Sequence, residues 1–343
     1  MARFHLCWEL GGGLGHAGRL KVLAAALLAR GHEVSVSLRD LAQAHGLFSG
    51  RFSDPLRAAP GVMGARGPQM PALRTPPLQA PVWLHRTEGM PPNHASHAEI
   101  LLTAGYLQAE PLAGLVAGWR SIFSLLRPEV VVADYAPTAI LAARSMGLRS
   151  ASVGSAFSMP PPGRALPCLR EWENIAPQRL ADAEARVLQA ANAVLAHHGA
   201  PPLSWAADLL LGDAPLLTTW PELDPFSRTA GAAGVEWYGP AFLPAGGAPP
   251  AWPPGNGPKV FAYLKPAMPT TRKCWLRWRS KAAGCFATCR KSPAARRRRS
   301  PRPAWRSRAG RLRCKPHWPR RSCASPTAAR RPWRKPCWPG CRF

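Results

Sequence analysis

A histidine stands in the stretch Gly11-Gly12-Gly13-Leu14-Gly15-His16-Ala17-Gly18, where the first apolar run of the chain gives way to its first helical pattern. Glycines in such a loop let backbone N–H groups approach a substrate or phosphate at the positive end of a helix. Gly12, Gly13, Leu14 and Gly15 are therefore candidate substrate-binding positions. An imidazole at the junction of loop and helix is placed to take a proton from a bound group, although a histidine at a helix start can also simply cap or pack. Asp134 follows Val130-Val131-Val132-Ala133 and so falls at the carboxyl end of an expected buried strand. Ligands of open α/β sheets collect over that edge. An aspartate there can accept the N–H of an imidazole, fix its tautomer and stabilise the imidazolium, which makes His16 and Asp134 a candidate catalytic dyad. The alternative for Asp134 is a cap on the helix expected from Pro137.

Other residues carry weaker chemistry. Gly13 to Gly18 also spells G-x-G-x-x-G, with Asp40 at a plausible distance for a ribose contact, which would suit a nicotinamide- or flavin-dependent oxidoreductase. His94, His97 and Glu99 sit at a helix start and could line a substrate pocket, His94 being the candidate contact; solvated helix-face residues are the plainer account. His197-His198 end an Ala-rich helix, where favourable placement against the helix C-terminus suffices. Cys285-x3-Cys289, Cys314-x2-His317 and Cys337-x3-Cys341 have ligand-like spacing but no apolar support around them, so no metal site is expected.

The elements that must position these groups alternate strand and helix. Residues 4–10 form an expected strand, 11–13 a turn, 19–30 a helix stopped by Gly31, and 32–38 the next strand. Residues 51–92, rich in Pro, Gly and Arg, are expected as surface loop. Helices over 95–108 and 112–126, a strand over 130–133, a helix over 137–146 stopped by Gly147, and a strand over 149–154 complete a second βαβ unit. Further helices are expected over 179–197 and 203–211, with short strands over 216–219 and 235–238. The pattern predicts an α/β, Rossmann-like, doubly wound parallel sheet.

Composition divides the chain. Its net charge of +27 would ordinarily suggest a nucleic-acid or anionic-membrane partner, or a non-catalytic basic binding protein. However, Lys273 to Phe343 holds 23 of the 45 Lys and Arg and seven of the nine Cys, with no Asp, Glu, Asn, Gln, Val, Ile, Met or Tyr. GC-rich coding DNA read out of frame gives such a mixture, because Leu-Ala codons then yield Trp while Ala, Gly and Val codons yield Arg, Pro, Cys and Ser. This basic tail reads as a frameshift product and is expected to be disordered, with no specific nucleic-acid partner. Residues 1–272 carry 22 basic and 18 acidic groups. With only Cys7 and Cys168 in that body, no disulfide framework is implied. The first residues lack the order of a signal peptide and no apolar run approaches the ~20 residues of a membrane span, so a cytoplasmic location without a transmembrane segment is expected. Residues 1–240 are expected as one domain, 241–258 as a Pro- and Gly-rich linker, 259–272 as the truncated start of a second domain, and 273–343 as the tail.

Gly15-His16, Arg127-Pro128-Glu129-Val130-Val131-Val132-Ala133-Asp134, Ala142-Ala143-Arg144-Ser145-Met146-Gly147-Leu148, Pro221-Glu222-Leu223-Asp224 and Tyr238-Gly239-Pro240 occur in an order and spacing that resembles the GT-B glycosyltransferases, in particular the UDP-glycosyltransferase and macrolide glycosyltransferase group. The resemblance covers nearly all of the first 240 residues. It implies a Rossmann-like N-terminal domain on the acceptor side and inverting sugar transfer from a nucleoside diphosphate, with a UDP-sugar as co-substrate and no other cofactor. It also implies a hydroxyl-bearing small or lipid-like acceptor, His16 as the base and Asp134 as its orienting partner. The family's donor-binding domain has no counterpart in the tail, which implies that this polypeptide is inactive.

Overall fold

The computed structural model describes residues 1–48, 73–228 and 236–242, all within the compact unit Met1–Ala248. Expectations for the linker beyond residue 242, the second-domain strand, the basic tail and its Cys pairs lie outside the described residues. So does most of the expected loop at 51–92.

Six parallel strands form one sheet in the order β3-β2-β1-β4-β5-β6. They are β1 (Arg3–Trp8), β2 (Glu33–Leu38), β3 (Leu78–Gln79), β4 (Val130–Asp134), β5 (Arg149–Gly154) and β6 (Ala214–Leu217). The helices are α1 (Gly15–Ala29), α2 (Leu41–Phe48), α3 (His97–Leu101), α4 (Ala109–Leu126), α5 (Pro137–Ser145), α6 (Pro177–His197) and α7 (Asp208–Leu211). This is the doubly wound α/β architecture expected from the strand–helix alternation.

Both faces of the sheet are covered, which is why the strands read as apolar runs rather than as alternating apolar and polar residues. Leu6, Trp8, Val34, Val36, Val132 and Val153 pack with α1 and α2 residues in one core. Cys7, Val131 and Ala133 pack with α4, α5 and α6 residues in the other. Helix α4 supplies Leu112, Val116, Trp119 and Phe123 at helical spacing, one stripe turned onto the sheet. Each fully buried side chain of this size contributes about 1.5–3 kcal/mol.

Several boundaries differ from the sequence reading. Helix α1 begins at Gly15 instead of residue 19, so His16 lies within its first turn. Helix α2 was not anticipated, and Leu78–Gln79 pairs with β2 inside the stretch read as loop. The helix read over 95–108 breaks after Leu101 into a wider turn at Leu102–Tyr106, where Ala104 and Gly105 leave helical backbone. Of the helix read over 203–211 only Asp208–Leu211 is helical, and the expected strand at 235–238 contributes a single bridge, Trp237 to Leu217. Among the described residues no single helix is long and apolar enough to cross a membrane.

Candidate active site

Strands β1 and β4 are neighbours, with Trp8 paired to Asp134 at their carboxyl ends. The chain leaves β1 toward α1 on one side and β4 toward α5 on the other, so a crevice opens where the winding reverses. The Leu10 N–H donates to the Tyr135 carbonyl at 2.9 Å and ties the two departing loops together. Gly11 and Gly13 take φ of +79° and +85°, a region costly to residues with a Cβ, and the turn they make delivers Gly15 to the first position of α1.

His16 and Asp134 meet in this crevice. His16 Nδ1 lies 2.7 Å from Asp134 Oδ1, and Arg19 Nη1 donates to Asp134 Oδ2 at 2.5 Å. Asp134 is fully buried, while the His16 and Arg19 side chains keep about a fifth of their surface exposed. A buried carboxylate is tolerable when both oxygens are engaged by cationic or N–H donors, as here. With the carboxylate at Nδ1, the second ring nitrogen, Nε2, points away from it. Nε2 has no hydrogen-bond partner among the described residues, and a Cβ built on Gly11 would lie only 2.5 Å from it. The imidazole stacks on Trp8 at 5.6 Å between centroids and 15° between planes, with Tyr135 beside it at 6.2 Å. An imidazole fixed at one nitrogen by a carboxylate and open at the other is arranged to accept a proton.

Asp134 does not cap α5. That helix has Ala136 at its N-cap position and no local side-chain cap. Glu9, from the end of β1, takes the role instead, accepting from Thr138 N at 2.9 Å and from Thr138 Oγ1 at 2.5 Å. Complete burial pushes the Glu9 carboxyl up to about 7, against the lowering effect of the Thr138 hydrogen bonds and of Arg39.

The remaining candidates divide. Gly12, Gly13, Leu14 and Gly15 form the exposed lip of the crevice; a Cβ at Gly12, Gly13 or Gly15 would meet nothing within 4 Å. His94 is half-buried near Glu99, and no described contact joins it to His16 or Asp134. Glu99 is not a solvated face residue: it is buried, accepts from Ala95 N at 2.7 Å, and pairs with Arg179 at 2.6 Å. His97, grouped with it as helix-face, is buried too. Asp40 accepts from Gln43 N at 3.1 Å and from Gln43 Nε2 at 2.6 Å, which caps α2. His197 and His198 close α6, as its C-terminus favours. No group of three or more His, Cys, Asp or Glu able to hold a metal ion is gathered among the described residues.

Sequence reasoning missed Arg19, Gly11, Trp8, Tyr135 and Glu9 as parts of this site. Arg19 had a signal, because position i+3 from His16 on a helix lies on the same face. Glu9 had none, since its partner Thr138 is more than a hundred residues away.

No family model and no curated protein matches the chain. Solved structures do. The glycosyltransferase of kitacinnamycin aligns at 16% identity over 84% of this chain and 65% of its own length, with a TM-score of 0.52. Glycosyltransferase SnogD from Streptomyces nogalater aligns at 18% identity over 84% and 66%, with a TM-score of 0.46. The spinosyn rhamnosyltransferase SpnG, solved with thymidine diphosphate, aligns at 17% over 83% and 64%, with a TM-score of 0.46. The chain thus spans about two thirds of the length of the structures it matches. Its described body has the fold of the GT-B N-terminal domain, as the sequence resemblance implied.

Proposed function

We propose that this body is the acceptor-side half of an inverting glycosyltransferase that moves a sugar from a nucleoside diphosphate, a UDP-sugar by the family resemblance, to an acceptor hydroxyl. The observation that carries the reading is the His16–Asp134 contact at the carboxyl edge of the sheet, with Nε2 left free. An acceptor hydroxyl at Nε2 loses its proton to the ring while its oxygen attacks the anomeric carbon. The bond from that carbon to the diphosphate breaks on the opposite face, which inverts the centre. Asp134 holds the Nδ1–H tautomer and compensates the imidazolium, and Arg19 holds Asp134. The uncapped N–H groups at the start of α1 face the crevice lip and favour negative charge as the diphosphate leaves. None of these steps calls for a metal ion or a further cofactor.

We infer further that residues 273–343 cannot supply donor recognition, because they contain no carboxylate or amide side chain to bind sugar hydroxyls. The test is sugar transfer from UDP- and TDP-sugars to a panel of hydroxylated acceptors, run on the chain as it stands and on a chain with the downstream reading frame restored. Transfer by the restored chain alone supports both parts of the reading. Transfer by neither removes the assigned reaction, and transfer by both removes the inference about the tail.

A further inference from the structure

Helix α5 takes its cap from a strand outside its own segment, and at a cost. Its N-cap position is Ala136, which offers no side-chain acceptor, although a serine or aspartate there would serve the helix locally. Instead Glu9, the residue after β1, reaches across with its carboxyl. Oε2 accepts from the Thr138 N–H at 2.9 Å and Oε1 from the Thr138 hydroxyl at 2.5 Å. Glu9 and Thr138 are both buried, so a carboxyl group has been taken out of water to make these bonds. Burial pushes it up to about 7 in spite of them. Two further groups fix the cluster: the Tyr106 hydroxyl lies 3.2 Å from Thr138 Oγ1, and Arg39, beyond the end of β2, donates to the Glu9 carbonyl at 2.5 Å.

The two segments that this carboxyl joins are those that carry the dyad. Thr138 lies just after Asp134 in the chain, and Glu9 just ahead of the glycine loop that leads to His16. Trp8, next to Glu9, is paired with Asp134 and stacks on the His16 ring at 5.6 Å between centroids. Gly11, on the other side of Glu9, passes so close to that ring that a Cβ on it would lie 2.5 Å from Nε2. Beyond the strand pairing itself, the departing backbones are tied among the described residues by the Leu10 N–H, which donates to the Tyr135 carbonyl at 2.9 Å, and by the two Glu9 bonds. A shift of either loop therefore changes the distance between His16 and Asp134.

We propose that Glu9 is a positioning residue for the dyad: by clamping the end of β1 to the start of α5 it holds Asp134 at His16 Nδ1 and so keeps Nε2 as the proton acceptor. Glu9 makes no hydrogen bond to His16 or Asp134 and acts through Thr138. A local cap at position 136 would stabilise α5 as well but would leave the two loops free to part, which the remote, desolvated carboxyl prevents. Displacements of about 1 Å are enough to disable a catalytic group, so a clamp of this kind has a function apart from helix stability. The proposal rests on the dyad assigned above, and its test reads the imidazole directly, without sugar transfer.

Nitrogen NMR of the full chain, isotope-labelled in histidine and held at about pH 8, above the ordinary imidazole range, reports which ring nitrogen of His16 carries the proton, and the spectrum of His16→Ala assigns the signal. In the wild type the Nδ1–H form should predominate, as a carboxylate at Nδ1 requires. Glu9→Ala lacks the carboxyl and Glu9→Asp is too short to reach Thr138; both should shift the ring toward the Nε2–H form that free histidine prefers. Thr138→Val, which deletes one of the two bonds, should shift it the same way. Glu9→Gln should keep the wild-type ratio, its amide oxygen accepting from the Thr138 N–H and its amide N–H donating to Thr138 Oγ1. Asp213 makes a similar carboxylate bond, to Ser150 N at 2.7 Å, at the opposite edge of the sheet. Asp213→Ala should therefore lower the unfolding midpoint without moving the ratio. An unchanged ratio in Glu9→Ala, or in Thr138→Val where the Glu9 variants do not fold, would overturn the proposal alone, as would an equal shift in Asp213→Ala. A wild type without the Nδ1–H form would overturn the dyad and this proposal with it.

Discussion

At the scale of single residues, the site depends on which nitrogen of one imidazole is held and which is free. Asp134 holds Nδ1, so Asp134→Asn keeps the shape of the site yet should slow turnover strongly, because an amide cannot stabilise the imidazolium and can favour the wrong tautomer. Joined with His16→Ala it should add little to the loss from His16→Ala alone, since residues that act as one unit are far from additive. Losses that multiply in the double variant of the frame-restored chain, measured as kcat/KM, would show the two acting independently. Gly11 gives a structural counterpart. Its φ of +79° disfavours any L side chain, and a Cβ would come within 2.5 Å of Nε2. Gly11→Ala should therefore cost about 1–2 kcal/mol in urea unfolding and displace the imidazole, lowering kcat, whereas Gly12→Ala, with open space around it, should do neither.

At the scale of elements, the stability of α5 is linked to pH through a strand it does not belong to. Glu9 caps α5 from the end of β1, and its carboxyl is raised to about 7 in the folded protein from 4.5. The folded state then binds a proton that the unfolded state releases, so this contribution is complete below about 4.5 and is lost as pH rises through about 7. Unfolding curves of wild type and Glu9→Gln should converge in slope at acid pH and differ between pH 5 and 8, with a change on the order of 3 kcal/mol across the window. Parallel curves across that range would contradict it. The same element shows where a sequence stops being legible. The valine run before Asp134, the glycine stops and the apolar stripe of α4 declared β4, α1, α5 and α4, because each signal lies within the segment it describes. The strand β3 is two residues long and α2 depends on the cap Asp40 gives it, so neither carries enough local pattern. His16 and Asp134 were readable as a pair because strand ends in a parallel sheet share an edge. Arg19 shares the face of α1 that carries His16 and was legible in principle, whereas Glu9 acts across the fold and only the packed structure brings it to Thr138.

At the scale of the whole molecule, a well-formed α/β body is joined to a segment of very different composition. The body carries nearly balanced charge and two buried cores, while residues 273–343 hold 23 basic and no acidic side chains. If that segment is out of frame, translating the other two frames downstream of about codon 272 should restore Val, Ile, Asp and Glu and reveal a glycine-rich donor loop. Frames that are closed, or equally poor in those residues, would rule this out. The account as a whole turns on the proton at His16 Nε2. Its most direct test is the single-turnover rate of sugar transfer by the frame-restored chain and its His16→Ala variant, with donor affinity measured on both. The expected result is a rate lowered ~10²- to 10⁴-fold at unchanged donor affinity; a variant that transfers sugar as fast as the wild type would contradict it.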